Sequence, residues 1–211
     1  APPNLPGPEM SVLLRKRATA RAELGRREEA AADFRRVFDE DEGDHRSGYA
    51  LALLSLAIGD GKGHREVCSR LLARAKALDS DLGRLHAVGA ASLARDGGPD
   101  PEEAVRLARK ITHFGGAAAL GAALYRAGEV AESILQLNKA RLYYPSGQLR
   151  LLGGMPQEFL FLAMAYRDAG LEAMAAQALA KAEEQIASER SAGSSLHGDR
   201  LEWQDRLWRE L

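Results

Sequence analysis

The sequence predicts an all-α solenoid, and three observations carry that prediction. The 211 residues are 45% hydrophobic but only 6% aromatic. Alanine supplies much of the apolar content, which favours closely packed helices over a sheet rich in β-branched residues. Apolar and alanine positions recur at helical spacing in short runs, and glycine closes several of them. Those glycines form a ruler: Gly25 and Gly59 lie 34 residues apart, Gly59 and Gly128 lie 69 apart, and Gly128 and Gly170 lie 42 apart. A period near 34 with two helices per unit describes stacked helix hairpins, the 69-residue gap holding two units and the last gap an insertion. A chain of this length buries roughly 70% of its unfolded surface, so a core is available without staples.

Taken in order, residues 1–9 open with "APPNLPGPE" and read as a Pro-rich linker. The repeat region spans 10–187. Its first unit, 10–43, runs helically to Leu24, turns at Gly25 and restarts at "EEAAADFRRVF", with carboxylates in the first turn where the helix dipole favours them. The second, 45–79, turns at Gly59 before "REVCSRLLARAKAL". The third, 82–113, turns through "RDGGPDP", where Pro101 is placed to open a helix. The fourth, 115–146, is "LGAALYRAGEVAESILQLNKARLYYP" with the residues just before it, and the fifth, 156–187, contains "EFLFLAMAYRDAG". The insertion falls at about 147–155. A polar loop at 188–198 precedes 199–211, where Trp203, Leu207 and Leu211 share a helix face, as do Leu201 and Trp208. Asp199 is placed to cap this segment, which is expected to cover the fifth hairpin.

These hairpins resemble the tetratricopeptide repeat, whose small residues let two helices approach and whose large residues fill between units. In the fourth unit Leu120-Gly121, Leu124, Gly128, Leu137, Ala140 and Pro145 match the pattern, and in the fifth Phe159, Leu162-Ala163, Tyr166, Gly170, Ala175 and Leu179 do. The first keeps Ala18, Gly25, Ala30 and Phe34, but Arg17 and Arg21 stand where apolar residues are expected. The second keeps Leu51-Ala52, Gly59, Cys68 and Leu72, and the third only Ala90, Leu93 and Ala104. The resemblance implies a right-handed superhelix of about five hairpins plus a C-terminal capping helix. The order of segments is also similar to tetratricopeptide regions joined to kinase or β-propeller domains in large bacterial signalling proteins.

Charge and motif content exclude several functions. With 29 Lys and Arg against 30 Asp and Glu the formal net charge is −1, so no general field draws the chain to nucleic acid or anionic lipid. No apolar run reaches the ~18 residues of a membrane span. Cys68 is the single cysteine, which rules out an intrachain disulfide and fits the cytoplasm. His64 and Cys68 lie four apart on one helix face, but two ligands do not make a metal site. "DEDEGDH", Asp39 to His45, lacks the ligand spacing of a calcium loop, and "GDGKGH", Gly59 to His64, lacks that of a phosphate loop. No pairing of nucleophile or metal ligand with a base appears, so no enzymatic activity, metal or cofactor is expected.

What the resemblance implies is a binding scaffold, whose first helices line a concave groove for a peptide or protein. Carried over unit by unit, the groove candidates are Arg46, Tyr49 and Leu53; Arg84 and Arg95; Tyr125 and Arg126; and Leu160, Met164 and Arg167. Recurrent arginine suits carboxylate or phosphate groups, which the guanidinium fork binds bidentately. Asparagine is absent from the positions that clamp chaperone tails in this family. Two alternatives stay open: an oligomerisation module acting through its end units or through Trp203 and Trp208, as a weak dimer, and a small-molecule or lipid pocket.

Overall fold

A computed structural model describes residues 7–94, 98–112, 115–142 and 156–192. These residues form helices and turns, with no strand among them. The helices are α1 (Gly7–Glu23), α2 (Arg27–Glu40), α3 (His45–Ala57), α4 (Gly61–Ala77), α5 (Asp81–Leu93), α6 (Pro101–Ala108), α7 (Gly116–Arg126), α8 (Val130–Leu142), α9 (Pro156–Asp168) and α10 (Glu172–Ala192). Each odd helix packs on the even helix that follows, making five hairpins, and each even helix packs on the first helix of the next hairpin. The first helices also touch one another in sequence, α3 on α5, α5 on α7 and α7 on α9, so they form a continuous layer. This is an all-α solenoid.

Four hairpins turn alike. Two residues beyond α1, α3, α7 and α9 stand Gly25, Gly59, Gly128 and Gly170 with φ of 74°, 76°, 82° and 74°. That left-handed conformation carries no Cβ penalty in glycine. The glycine N–H and the next N–H then bond back to the last turn, as in Gly128 N–H to Tyr125 O and Glu129 N–H to Leu124 O, satisfying carbonyls the helix leaves open. Seven residues before the turn stand Ala18, Ala52 and Gly121, all buried. At Gly121 the approach leaves no room for a side chain, since a Cβ there would meet Leu137 Cγ at 2.5 Å.

The third hairpin departs from this scheme. Gly98, at φ 73°, lies five residues past α5 rather than two. The carbonyls of Ser92 and Leu93 instead accept hydrogen bonds from the Arg126 guanidinium at 2.8 Å and 3.4 Å.

Helix starts follow ordinary capping chemistry. Asp44, Asp60, Ser80 and Asp100 each accept a backbone N–H three residues on, at 2.8–3.1 Å. The acidic loop and the glycine-lysine loop are therefore caps: Asp44 starts α3, while Gly59 ends α3 and Asp60 starts α4. Asp44 also accepts Arg15 Nη1 at 2.8 Å, tying the first hairpin to the second.

Two sequence boundaries move. Helix α1 begins at Gly7, inside the stretch read as linker, because proline is tolerated in a first helical turn. Helix α10 continues to Ala192, inside the stretch read as loop, because no residue there breaks a helix before Gly193. The expected insertion at 147–155 and capping helix at 199–211 lie outside the described residues.

Candidate functional site

The first helices give the candidate binding face its frame, and each candidate meets a different fate on it. Arg46 is exposed on the first turn of α3 and forms no ion pair among the described residues. Tyr49, one turn on, is half-buried, with its ring 5.2 Å from that of His86 on α5. A Cβ at Gly89 would stand in ordinary contact with this ring, 3.5 Å from Tyr49 Cε2. His45 completes the group, its ring 5.0 Å from His86 and its Nδ1 2.9 Å from Gly43 O. Two histidines and a tyrosine thus form an aromatic patch between the second and third hairpins. Sequence reasoning missed it, because His45 opens α3 while His86 lies in the middle of α5.

Leu53 corrects the sequence expectation. At 0% exposure it belongs to the core and lines no groove. Arg84 is also withdrawn, with its side chain 12% exposed and held by Asp79 at 2.5 Å and Asp81 at 2.9 Å. Arg126 spends its Nε and one Nη on the α5 carbonyls, and its guanidinium carbon stands 5.6 Å from the Tyr125 ring centroid and 5.3 Å from that of Phe161. It is a capping group rather than an offered cation. Arg95, Trp203 and Trp208 lie outside the described residues.

A second patch forms between the fourth and fifth hairpins. Tyr125 donates its hydroxyl to Asp168 Oδ2 at 2.8 Å and meets Phe161 edge-on, with centroids 5.9 Å apart. Burial raises the Tyr125 phenol above its ordinary value, and the bond to Asp168 adds to the rise. Leu160 and Met164 are half-buried on α9, and Met164 packs on the cluster that contains Phe161, Leu162 and Tyr166. Arg167 is exposed, 3.5 Å from the carboxylate of its neighbour Asp168. The face as a whole alternates aromatic and apolar patches, with an exposed arginine at either end.

Elsewhere the polar groups are structural. His64 and Cys68 are both buried, with Sγ 3.4 Å from Nε2, and His64 Nδ1 lies 3.1 Å from Ala52 O. The pair fastens α4 to α3, and the described residues contain no group of three side chains that could hold a metal ion. Glu158, in the first turn of α9, is buried and pushed up to about 8 by loss of solvent, against the opposing charge of Arg141. Its Oε1 has no hydrogen-bond partner among the described residues. No helix among the described residues is long and apolar enough to cross a membrane.

No family model matches the chain, and no curated protein does. Solved structures do. TTC0263, described as a thermophilic TPR protein of Thermus thermophilus, is 21% identical, covers 86% of this chain and 94% of its own, and superposes with a TM-score of 0.56. A structure titled MamA MSR-1 is 22% identical over 86% of this chain and 98% of its own, with a TM-score of 0.49. The likeness to TTC0263 is one of fold, and together with the ten helices among the described residues it makes this chain a tetratricopeptide-type solenoid.

Proposed function

We propose that the chain is a protein-interaction module whose first-helix layer takes an extended peptide or a protein segment, within a larger signalling or scaffold protein. The observation that carries this reading is the persistence of partly exposed aromatic and apolar side chains along one layer: Tyr49 and His86, then Tyr125, then Leu160 and Met164. Helices buried on all sides would cover such groups, and helices facing only water would carry charge instead. Aromatic and methionine side chains are the usual anchors of a recognition surface.

The pairing of Arg84 and the capping role of Arg126 narrow the ligand chemistry. A uniformly acidic partner loses two of the five arginines that sequence reasoning offered it, Arg84 and Arg126. The favoured ligand carries apolar or aromatic side chains for the two patches and a carboxylate near Arg46. Peptides selected from a random display library on the wild-type chain provide the test, with affinities read by fluorescence anisotropy. Tyr49→Ala and Met164→Ala are each expected to weaken the selected peptides about tenfold, which is 1.4 kcal/mol. Arg46→Glu is expected to weaken only those with an acidic residue. Unchanged affinity across all three variants would move the binding surface away from this layer.

A further inference from the structure

The two ends of the solenoid expose the faces that its interior buries. Leu13, Arg17 and Ala20 stand exposed along α1, and Leu24, just past its end, is 74% exposed. Measured from the turn glycines, the same positions are Ser47, Leu51, Leu54 and Ile58 on α3, and Glu158, Leu162, Ala165 and Ala169 on α9. The first three of each set are buried, within layers that pack on the preceding hairpin, whereas Ile58 is half-buried and Ala169 exposed. At the opposite end, Leu179 of α10 is 44% exposed, whereas its counterparts Phe34, Cys68 and Leu137 are buried. Glu183, also exposed, stands where α2 and α4 bury Phe38 and Leu72 and where α8 exposes Arg141.

The substituted residues are complementary. Where the inner first helices present leucine, α1 presents Arg17, and where two inner second helices present a large apolar side chain, α10 presents Glu183. Half of the Arg17 side chain stays exposed beside its bonds to Asp33. One end is a leucine stripe with a cation in it, and the other is a leucine with an anion one turn along. Both have the register of a hairpin-to-hairpin contact inside the array.

We propose that copies of this chain associate head to tail, the Leu13–Leu24 stripe of one copy packing on the Leu179 face of the next. Such a contact is heterologous: it uses two different surfaces, so it does not close at two copies and adds further ones along the superhelix axis. It also leaves the first-helix layer open, and would extend that layer across copies.

Sedimentation velocity on the full 211-residue chain tests this, from about 1 µM to about 1 mM, the range of weak specific contacts. The average mass should rise with concentration beyond that of a dimer, and fall with added salt. Leu13→Glu and Leu179→Glu should each remain monomeric alone. Mixed in equal amounts they should form a dimer and stop, since each variant keeps the end that the other has lost. Leu13→Gln and Leu179→Gln serve in their place if circular dichroism shows that charge disturbs the helices. A wild-type chain that stays monomeric overturns the proposal, as does a mixture that stays monomeric while the wild type assembles. Assembly that appears only after deletion of residues 193–211 also overturns it, because the tail would then be what covers Leu179.

Discussion

The first and fourth hairpins have the same turn and helix order, yet different chemistry holds each together. In the fourth, Gly121 lets α7 approach α8 until Leu137 fills the gap, and Ser133 donates its hydroxyl to Gly121 O at 2.8 Å. In the first, Arg17 and Arg21 converge from α1 on Asp33 of α2, which is 5% exposed, through bonds of 2.5–2.8 Å. The fourth hairpin is interior, so both faces of α7 meet protein and apolar contact is available on each. The first is terminal, and its outer face meets water. Arginine serves both surroundings, its stem and one edge turned inward and the rest hydrated. The repeat geometry therefore fixes where a contact is needed, and the position in the array decides which chemistry supplies it.

The comparison breaks most sharply at Gly121. Valine there adds three carbons where even a Cβ would stand 2.5 Å from Leu137 Cγ. The expected cost is about 3 kcal/mol. Read by thermal circular dichroism, the melting midpoint should fall by about 6–12 °C for a chain of this size, without regard to salt or pH. A fall of a degree or two would mean that α7 and α8 can separate cheaply, and that the fourth hairpin is no tighter than the first.

The first hairpin should respond less to mutation but more to solution conditions. Asp33→Ala removes a carboxylate that accepts three charged hydrogen bonds, and leaves two arginines able to reach water. About 1–2 kcal/mol is expected, shrinking in high salt as the charges are screened. Burial by itself would raise the Asp33 carboxyl, but hydrogen bonds and charge from Arg17 and Arg21 outweigh it and hold the group below the usual carboxylate range. A lowered folded-state value means that the unfolded chain takes up the proton first. The contribution is thus full above the unfolded carboxylate pKa and is lost as pH falls through the folded one. Wild-type and Asp33→Ala stability should differ at neutral pH and converge in acid, while Gly121→Val keeps its deficit throughout.

What could be read from residues alone follows the same division. Turn glycines and the small residues seven before them are local, so Gly25, Gly59, Gly128 and Gly170 announced their hairpins and Gly121 its close contact. The third unit was faint because its turn glycine is displaced, and a ruler set on the others passes over Gly98. Arginines were legible as arginines but not as partners. Nothing local says that Arg84 meets Asp79 and Asp81, or that Arg126 reaches carbonyls 33 and 34 residues back. Leu53 failed as a groove residue for a related reason, since its covering comes from neighbouring helices. The His45, Tyr49 and His86 patch was hidden because its members lie up to 41 residues apart.

The smallest expected effect extends the comparison to the third hairpin. There a guanidinium does what a left-handed glycine does in four other turns, so Arg126 is the charged substitute for a backbone conformation. Arg126→Met keeps an unbranched apolar stem beside the Tyr125 and Phe161 rings and removes the guanidinium, with its bonds to Ser92 O and Leu93 O and its charge beside those rings. Loss of hydrogen bonds to two helix-terminal carbonyls that water can partly replace should cost about 1 kcal/mol. The change should appear locally, as faster amide exchange in the last turn of α5, before it appears in the melting midpoint. Equal exchange in α5 with a lower midpoint would assign Arg126 to ring stacking between the fourth and fifth hairpins, and leave the third turn held by its neighbours' packing alone.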